Sequence, residues 1–213
     1  MYDLHTHTYN SDGVLGPAEL SRRCSVLGYR GLVISDHCDD SNLAETVGRV
    51  VEFCRVSGAH FRDMEVIPGC ELTHIPPVRI APLVEEAREL GAAIVLVHGE
   101  TIVEPVAGGT NRAAVEAGVD VLAHPGFITA EETALAAERG VRLEITARKG
   151  HSLTNGHVAA LALEKGCRLS YGSDGHAPGD YADLEMVGKI LQGAGLSEKQ
   201  ADKVMEDSAE FFS

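Results

Sequence analysis

The sequence contains no tryptophan, few other aromatic residues and far fewer basic than acidic side chains. It has 18 lysines and arginines against 32 aspartates and glutamates, which gives a formal net charge of -14. Because binding to a polyanion depends on cations that displace counterions from phosphates, this balance makes nucleic acid an unlikely partner. Carboxylates that hold divalent cations would offset part of the negative charge, so a small anionic substrate is still possible.

Long apolar runs and paired cysteine motifs are also missing. No apolar run reaches the roughly 18 residues that a membrane span needs, and the His-rich start does not resemble a signal peptide. We therefore expect a cytoplasmic protein with no membrane association. The five cysteines include no Cys-x-x-Cys pair, which argues against a disulfide framework or a thiolate zinc site. Cys38 and Cys70 adjoin polar strand ends, and strand alternation predicts that they point away from them.

Nucleotide-binding fingerprints are absent as well, and the pattern that is present alternates strands with helices. Gly108-Gly109 lacks the spacing of a dinucleotide fingerprint, and no P-loop occurs. The alternation is typical of a parallel sheet with crossover helices. The predicted strands span residues 2–5, 31–35, 65–71, 92–98, 119–124, 141–146 and 167–172. The predicted helices span residues 17–27, 43–57, 78–90, 112–117, 130–139 and 157–165.

The length of 213 residues suits a single α/β domain over residues 1–213, with two C-terminal helices in 184–212 and Ser197 as an N-cap. Residues 31–34 and 93–97 are apolar without alternation, as expected for strands buried on both faces. An open sheet concentrates its site at a switch point, whereas a barrel brings all its strand ends around one face. Because nearly every predicted strand ends in a histidine or a carboxylate, a closed (β/α) barrel is favoured.

These strand ends predict a metal centre. His5 and His7 lie two residues apart in an extended segment, so both imidazoles can point toward one ion. The candidate metal ligands are His5, His7, Asp12, His37, Glu71, His98, His124, Asp174 and His176. Nitrogen and oxygen donors suit zinc, manganese or iron, and nine ligands exceed what one tetrahedral zinc holds. Two or three divalent ions are therefore implied, with Glu71 as the best candidate for a bridging ligand.

The motifs, taken in order, resemble those of the PHP family (polymerase and histidinol phosphatase). They are Asp3-Leu4-His5-Thr6-His7 with Ser11-Asp12-Gly13, Ser35-Asp36-His37, Gly69-Cys70-Glu71, Val97-His98-Gly99, Ala123-His124-Pro125 and Ser173-Asp174-Gly175-His176. The resemblance covers residues 1 to about 178. It implies a distorted (β/α)7 TIM-like barrel with a trinuclear metal centre.

The resemblance also implies how the ligands are divided among the metals. The implied sets are His5, His7, Glu71 and Asp174 for the first metal, Glu71, His98 and His124 for the second, and His37 with His176 for the third. Asp12 stands where many members of the family have a histidine. The occupancy and identity of the third metal therefore stay open.

Such a centre is suited to phosphoester hydrolysis. Two metals can lower the pKa of a bound water, clamp phosphoryl oxygens and steady the leaving oxygen of an in-line displacement. We expect a hydrolase that cleaves a small phosphomonoester, as a histidinol phosphatase does, by attack of a metal-bound hydroxide on phosphorus. Asp174 is the predicted catalytic residue that orients the water, and His176 the one that contacts the phosphate or its metal.

The segment after the sixth predicted strand supplies the predicted substrate-binding residues Arg148, Lys149 and His151. A guanidinium can clamp a phosphate with two hydrogen bonds, although a solvated basic loop is an equal alternative. His74 could face the site or merely shape its own turn. Asp36 could orient a ligand histidine, as metal sites usually require.

Other functions fit parts of the same pattern. A phosphodiesterase or nuclease is covered by the same resemblance, but the acidic chain and the lack of a basic aromatic groove argue against it. An amidohydrolase also begins with His-x-His, yet its bridging residue after the fourth strand and its eighth strand are not visible. A non-catalytic scaffold would have no reason to keep the ligands. The expected partner is a small phosphorylated metabolite, and the oligomeric state is open.

Overall fold

The computed structural model describes residues 1–61 and 63–212; Arg62 and Ser213, which fall within the predicted domain range, lie outside the described residues. Those residues form the following eight strands: Tyr2–Asp3 (β1), Gly31–Ile34 (β2), His37–Cys38 (β3), Glu65–Leu72 (β4), Ile94–His98 (β5), Val121–Ala123 (β6), Arg142–Thr146 (β7) and Leu169–Gly172 (β8). The segment after β1 is less regular than predicted, since only an isolated bridge from Thr6 to Gly175 continues the pairing.

The strands form a parallel sheet in the order β1-β2-β4-β5-β6-β7-β8. Its two edges approach each other, because the Leu4 amide donates to the Tyr171 carbonyl at 3.3 Å and the Asp174 amide donates to the His5 carbonyl at 2.9 Å. The short β3 pairs with the second half of β4, whereas β2 pairs with the first half. Since β2 and β3 share one position, the sheet makes a nearly closed barrel with seven positions, which confirms the predicted fold class.

Helices surround this barrel. Those of the described residues are Pro17–Val26 (α1), Leu43–Val56 (α2), Pro77–Glu89 (α3), Thr110–Ala117 (α4), Ala130–Arg139 (α5), Asn155–Lys165 (α6), Leu184–Gly193 (α7) and Glu198–Ser208 (α8). Each predicted helix is confirmed, and α4 and α6 begin two residues earlier than predicted. Ser197 caps α8 through a reciprocal capping box with Gln200, as predicted. Among the described residues, no helix has both the length and the apolar character that crossing a membrane would require.

The barrel has two apolar layers, one between the sheet and the surrounding helices and one inside the sheet. Along β5, Val95 belongs to the layer beneath the helices, while Leu96 belongs to the inner layer. Cys38 and Cys70 belong to the outer layer, so both thiols face away from the barrel interior, as strand alternation predicts. The buried inner layer consists of Leu4, Val33, Ile67, Ile94, Leu96 and Val121. It fills the barrel below the C-terminal ends of the strands and leaves those ends for polar side chains.

The C-terminal segment packs against the bottom of this inner layer. Phe211 and Phe212 both contact it. The buried guanidinium of Arg142 lies 4.2 Å from the centre of the Phe211 ring, and its Nη2 is 3.1 Å from a carboxylate oxygen of Glu210. The last turn of the chain therefore forms part of the barrel floor, at the end opposite the predicted metal ligands.

Replacing Phe211 by alanine is expected to destabilise the barrel without touching the polar end. Because the ring is only partly buried, the free energy of unfolding should fall by about 2 kcal/mol, less than the ~3–5 kcal/mol of a fully buried phenylalanine. Denaturant unfolding followed by circular dichroism measures this change. As a matched control, Val78→Ala on the exposed face of α3 should change it by less than about 0.5 kcal/mol. Equal effects of the two substitutions would contradict the assigned floor.

Candidate metal centre

Glu71 lies at the centre of the polar end of the barrel. It occupies an inward position on β4, and its side chain is fully buried. Its Oε1 is 3.4 Å from Nε2 of His5 and 3.5 Å from Nε2 of His124. Its Oε2 is 2.7 Å from Nδ1 of His37 and 3.8 Å from Nε2 of His7. The two oxygens thus face two different groups of imidazoles, which is the arrangement that a bridging carboxylate requires.

Asp174 faces the same imidazoles from the opposite wall, just after β8. Its Oδ1 is 3.3 Å from Nε2 of His7 and 3.5 Å from Nδ1 of His176. Its Oδ2 is 3.6 Å from Nε2 of His124. The two buried carboxylates therefore enclose the histidines that follow β1 and β6. The predicted catalytic pair, Asp174 and His176, lies inside this cluster of candidate ligands.

Asp12 completes a group nearer to solvent. Its Oδ1 is 3.0 Å from Nε2 of His176 and 3.4 Å from Nε2 of His37. The ligand atoms of Asp12, His37, His176 and His7 all lie within 4.8 Å of one another. The Asp12 side chain is 58% exposed, whereas His7 is fully buried. The structure therefore places Asp12 where it could hold a metal together with the histidines of the implied third site.

His98 has partners that the motif pattern did not identify. Its Nε2 is 3.1 Å from Oε2 of Glu104, a residue of the loop between β5 and α4. Glu104 also lies 3.1 Å from Nε2 of His74 and 3.3 Å from Nε2 of His151. His151, predicted to bind substrate, has a ring nitrogen within 4.8 Å of those of His98 and His124. No strand end marks Glu104 in the sequence, so its place depends on how the loop folds.

Glu144 is a second residue that sequence reasoning missed. It lies on β7 with its side chain inside the barrel, where its Oε1 is 2.7 Å from Nδ1 of His5. Its Oε2 accepts the backbone N–H of His124 at 2.9 Å. Gly172 on β8 makes room for it, since a Cβ there would overlap the Glu144 carboxylate. The sequence does contain a signal for this residue, because Glu144 is an acidic residue within the otherwise apolar segment 143–145.

The backbone is strained at this end of the barrel. Among the described residues, three non-glycine residues have positive φ angles: His74 at 54°, His124 at 27° and Asp174 at 50°. Such conformations cost on the order of 1–3 kcal/mol each and persist only where the surrounding structure enforces them. All three belong to the residues that surround the cluster of imidazoles and carboxylates.

The donor set fits divalent metal ions. Several buried side-chain atoms of the described residues that could ligate a metal lack a hydrogen-bond partner. They are His5 Nε2, His7 Nδ1 and Nε2, Glu71 Oε1, His124 Nδ1 and His151 Nδ1. A buried polar atom without a partner costs free energy, and native structures contain few of them. Coordination to metal ions would satisfy those that point into the cluster. The residues therefore support divalent metal binding.

Protonation states at the centre suit metal ligation. Burial alone would raise the pKa of Glu71 and of Asp174, but the nearby histidines, His5 first among them, hold both carboxyl groups well below their usual range. Burial lowers the pKa of His7 to about 3 and that of His98 to about 4. Both carboxylates are thus ionised near neutral pH, and these two imidazoles are neutral, as coordination requires.

A cavity of about 240 Å³ opens onto the cluster, and the Arg148 side chain lines it. Its Nη1 is 3.4 Å from the carbonyl oxygen of Asp174 and 3.7 Å from Oδ2 of Asp180. Lys149 is exposed and lines a neighbouring cavity instead. Of the three predicted substrate-binding residues, Arg148 and His151 therefore line the cavity at the metal cluster, whereas Lys149 lies beside it.

Asp36 has a different partner from the predicted one. Its carboxylate accepts the backbone N–H of Thr8 at 2.6 Å and the hydroxyl groups of Thr8 and Ser11 at 2.7 Å each. It therefore fixes the loop after β1, which carries Asp12, and within the described residues its carboxylate accepts hydrogen bonds from this loop and not from a ligand histidine. The neighbouring His37 is held by Thr73 and Glu71.

Comparisons with known proteins agree with this fold. In solved structures, a chain of "archaeal Ribonuclease P with mature tRNA" superimposes with a TM-score of 0.74 at 18% identity, covering 99% of this chain and 89% of that one. A histidinol phosphate phosphatase from Lactococcus lactis subsp. lactis, complexed with zinc, L-histidinol and phosphate, gives 0.64 at 14% identity, covering 92% and 94%. The chain is thus a TIM-like (β/α) barrel in fold.

Sequence comparison gives the family. The uncharacterized protein MJ1295 of Methanocaldococcus jannaschii is 45% identical over 205 residues, which cover 96% of this chain and 94% of that protein. The chain belongs to the same family as this protein. Ribonuclease P protein component 3 of Methanosarcina mazei is 31% identical over 153 residues, or 69% of this chain and 56% of that protein. No model of a known protein family matches the chain.

Glu144→Gln is expected to weaken metal binding. The amide can still accept a hydrogen bond, but it no longer holds the His5 ring by a charged contact, and such a loss costs roughly 10–100-fold in metal affinity. Competition with a chromogenic chelator measures the affinity, and thermal unfolding checks that the variant is folded. Glu138→Gln, an exposed glutamate on α5, is the matched control and should leave the affinity unchanged. Equal affinities of the two variants would contradict the role of Glu144.

Metal affinity is expected to rise with pH. Burial alone would lower the pKa of His5, His37 and His124, but neighbouring carboxylates outweigh it and raise all three pKa values in the metal-free protein. Below those values the imidazoles hold protons that a metal must displace, so affinity should fall about tenfold per pH unit for each proton released. Calorimetric titration in buffers of different ionisation enthalpy counts these protons. An affinity that is constant between about pH 6 and pH 8 would contradict this expectation.

Proposed function

We propose that this protein is a metal-dependent phosphoesterase of the PHP family that hydrolyses a small phosphomonoester. The observation that carries this proposal is the position of Glu71, whose two oxygens face different groups of imidazoles at 2.7 to 3.8 Å. A carboxylate placed in this way can be shared by two metal ions. Centres with several metals suit the displacement of an oxygen leaving group from phosphorus.

Two or three divalent ions, zinc, manganese or iron, would be held by the nine predicted ligands. Glu71 would be shared. The family resemblance implies His5, His7 and Asp174 on one side and His98 with His124 on the other, whereas in this structure its Oε1 faces His5 and His124 and its Oε2 faces His7 and His37. Asp12, His37 and His176 would form the outer site. When bound, the ions supply positive charge to the phosphoryl oxygens and make water a stronger nucleophile near neutral pH.

The chain's own residues would bind and orient the substrate. The Arg148 guanidinium lines the cavity, and its shortest ion pair within the described residues, with Asp180, is 3.7 Å long, so it is available to bind a phosphate with two hydrogen bonds. Asp174 would orient the attacking water, and His176, fixed between Asp12 and Asp174, would contact the phosphate or its metal. The cavity volume of about 240 Å³ suits the phosphate and its near atoms.

An RNA-associated role is the second candidate, and the comparisons with ribonuclease P proteins favour it. Two features support the enzyme instead. The formal charge of -14 disfavours a surface that binds phosphodiester backbones. In addition, the described residues bring nine predicted ligands together with buried donor atoms that lack partners, which a scaffold for RNA would not require.

Two variants test the proposal. Glu71→Gln and His124→Ala are expected to lower phosphatase kcat/KM by at least on the order of a hundredfold and to lower the bound metal, because each removes a central ligand. The substrates would be p-nitrophenyl phosphate and a panel of metabolite phosphates and nucleotides, with metal content measured on the same samples. Circular dichroism confirms folding, and Glu138→Gln again serves as the control. Unchanged turnover in metal-replete variants would overturn the proposal.

A short single-stranded oligonucleotide, assayed in parallel, separates the candidates. A small-molecule phosphatase should release inorganic phosphate from the metabolites and leave internal phosphodiester bonds intact. Cleavage of the oligonucleotide without phosphatase activity would favour a nuclease. A protein that purifies without metal, takes up none and hydrolyses neither substrate would favour the scaffold.

A further inference from the structure

A second, larger cavity lies beside the metal centre and has not been assigned a role above. It has a volume of about 810 Å³, and we name it the lateral cavity. The residues that define it are Leu27 at the end of α1, Tyr181, Met186 and Ile190 in and before α7, and Arg148 and Lys149 after β7.

The lateral cavity adjoins the metal centre through Arg148, which lines both cavities. The segment that follows β8 lines both cavities, with His176 at the metal centre and Asp180 at the lateral cavity. This segment is firmly held, because the Tyr181 hydroxyl donates to the Gly175 carbonyl at 2.9 Å and Asp180 accepts the backbone N–H of His176 at 2.9 Å. Because Arg148 lines both cavities, a molecule with its phosphate at the metal centre would meet the lateral cavity on the other side of this guanidinium.

Two basic side chains, Arg148 and Lys149, line this cavity. Many basic side chains of this acidic protein form ion pairs, such as Arg23 with Glu19, but the described part of the chain offers Lys149 no such partner. Lys149 is adjacent in sequence to Arg148, whose nearest carboxylate oxygen is 3.7 Å away.

The two acidic residues that line the lateral cavity are already occupied. Asp180 accepts two backbone N–H groups, those of His176 and Ala177, at 2.9 and 2.8 Å. Asp183 accepts the N–H of Met186 at 2.9 Å and so caps α7. Both carboxylates keep their negative charge, but within the described residues neither forms an ion pair with Lys149, and each accepts backbone N–H groups instead.

Apolar side chains form much of the remaining wall, which also includes Ser173 and Gly179. Leu27 is 37% exposed and Met186 is 48% exposed, although both are large hydrophobic residues. Covering them would remove apolar surface from water, which is favourable. The lateral cavity thus combines an apolar wall with a lysine at its edge.

We propose that the lateral cavity binds the organic part of the substrate, and that this part carries a second anionic group that contacts Lys149. The substrate class is then a phosphomonoester with an apolar body and a distal carboxylate or phosphate. This inference rests on the proposed function, since it assumes that the first phosphate binds at the metal centre.

Two matched series of compounds test it: n-alkyl phosphates, and ω-carboxyalkyl phosphates of the same chain lengths. With the metal-replete wild-type protein, kcat/KM should be higher for the carboxylated member at one or more chain lengths. Lys149→Ala should lower the ratio of the two kcat/KM values about tenfold, because a hydrogen bond between two charged groups is lost. Lys149→Arg should preserve the ratio, and Lys199→Ala, an exposed lysine on α8, should leave both series unchanged.

The outcomes distinguish this inference from the proposed function. Hydrolysis of both series with equal kcat/KM, or a ratio that Lys149→Ala does not change, would overturn the inference and leave the phosphoesterase intact. Hydrolysis of neither series would overturn the phosphoesterase. In that case calorimetric titration of the same intact compounds decides the inference, which requires the carboxylated series to bind more tightly and Lys149→Ala to abolish the difference.

Discussion

The burial of the Glu71 carboxylate is the constraint on which the rest of this structure depends. A carboxylate without exposure to solvent is costly unless positive charge and hydrogen-bond donors surround it. Here the surrounding groups are imidazoles, of which His5, His37 and His124 lie 2.7 to 3.5 Å from its oxygens. Against the effect of burial, neighbouring carboxylates raise the pKa of these three imidazoles, so protons supply the balancing positive charge in the metal-free protein, and bound metal ions would replace them.

The barrel meets this constraint by separating its two ends. Inward side chains are apolar at the bottom, where Phe211 and Arg142 form part of the floor, and polar at the top. Buried carboxylates at the top are held by groups from neighbouring strands, as when Glu144 on β7 contacts both His5 and the backbone of His124. The apolar layer below gives these side chains a rigid base, so the polar end can tolerate donor atoms without partners.

The sequence was sufficient for the fold and for much of the cluster, because both follow from local rules. Strand and helix periodicity is local, and the carboxyl ends of parallel strands must meet, so the positions of Glu71 and His98 could be predicted together. Glu104 could not be predicted, since it reaches the cluster through a loop whose path no periodicity encodes. His151 was predicted to lie at this end of the barrel, but its contacts with Glu104 and His124 depend on the turn after β7, which no periodicity encodes. For Asp36 the residue was identified, but its partners on the β1 loop were not.

Fold similarity alone cannot decide between an enzyme and a partner of RNA, since one barrel can serve either purpose. Backbone strain gives a more direct argument. His124 and Asp174 adopt positive φ angles that cost on the order of 1–3 kcal/mol each, and both direct side chains into the same cluster. A scaffold gains nothing from such strain and could lose it through glycine at either position. A metal centre gains donor atoms placed against Glu71, so the strained backbone favours ligation over a structural role.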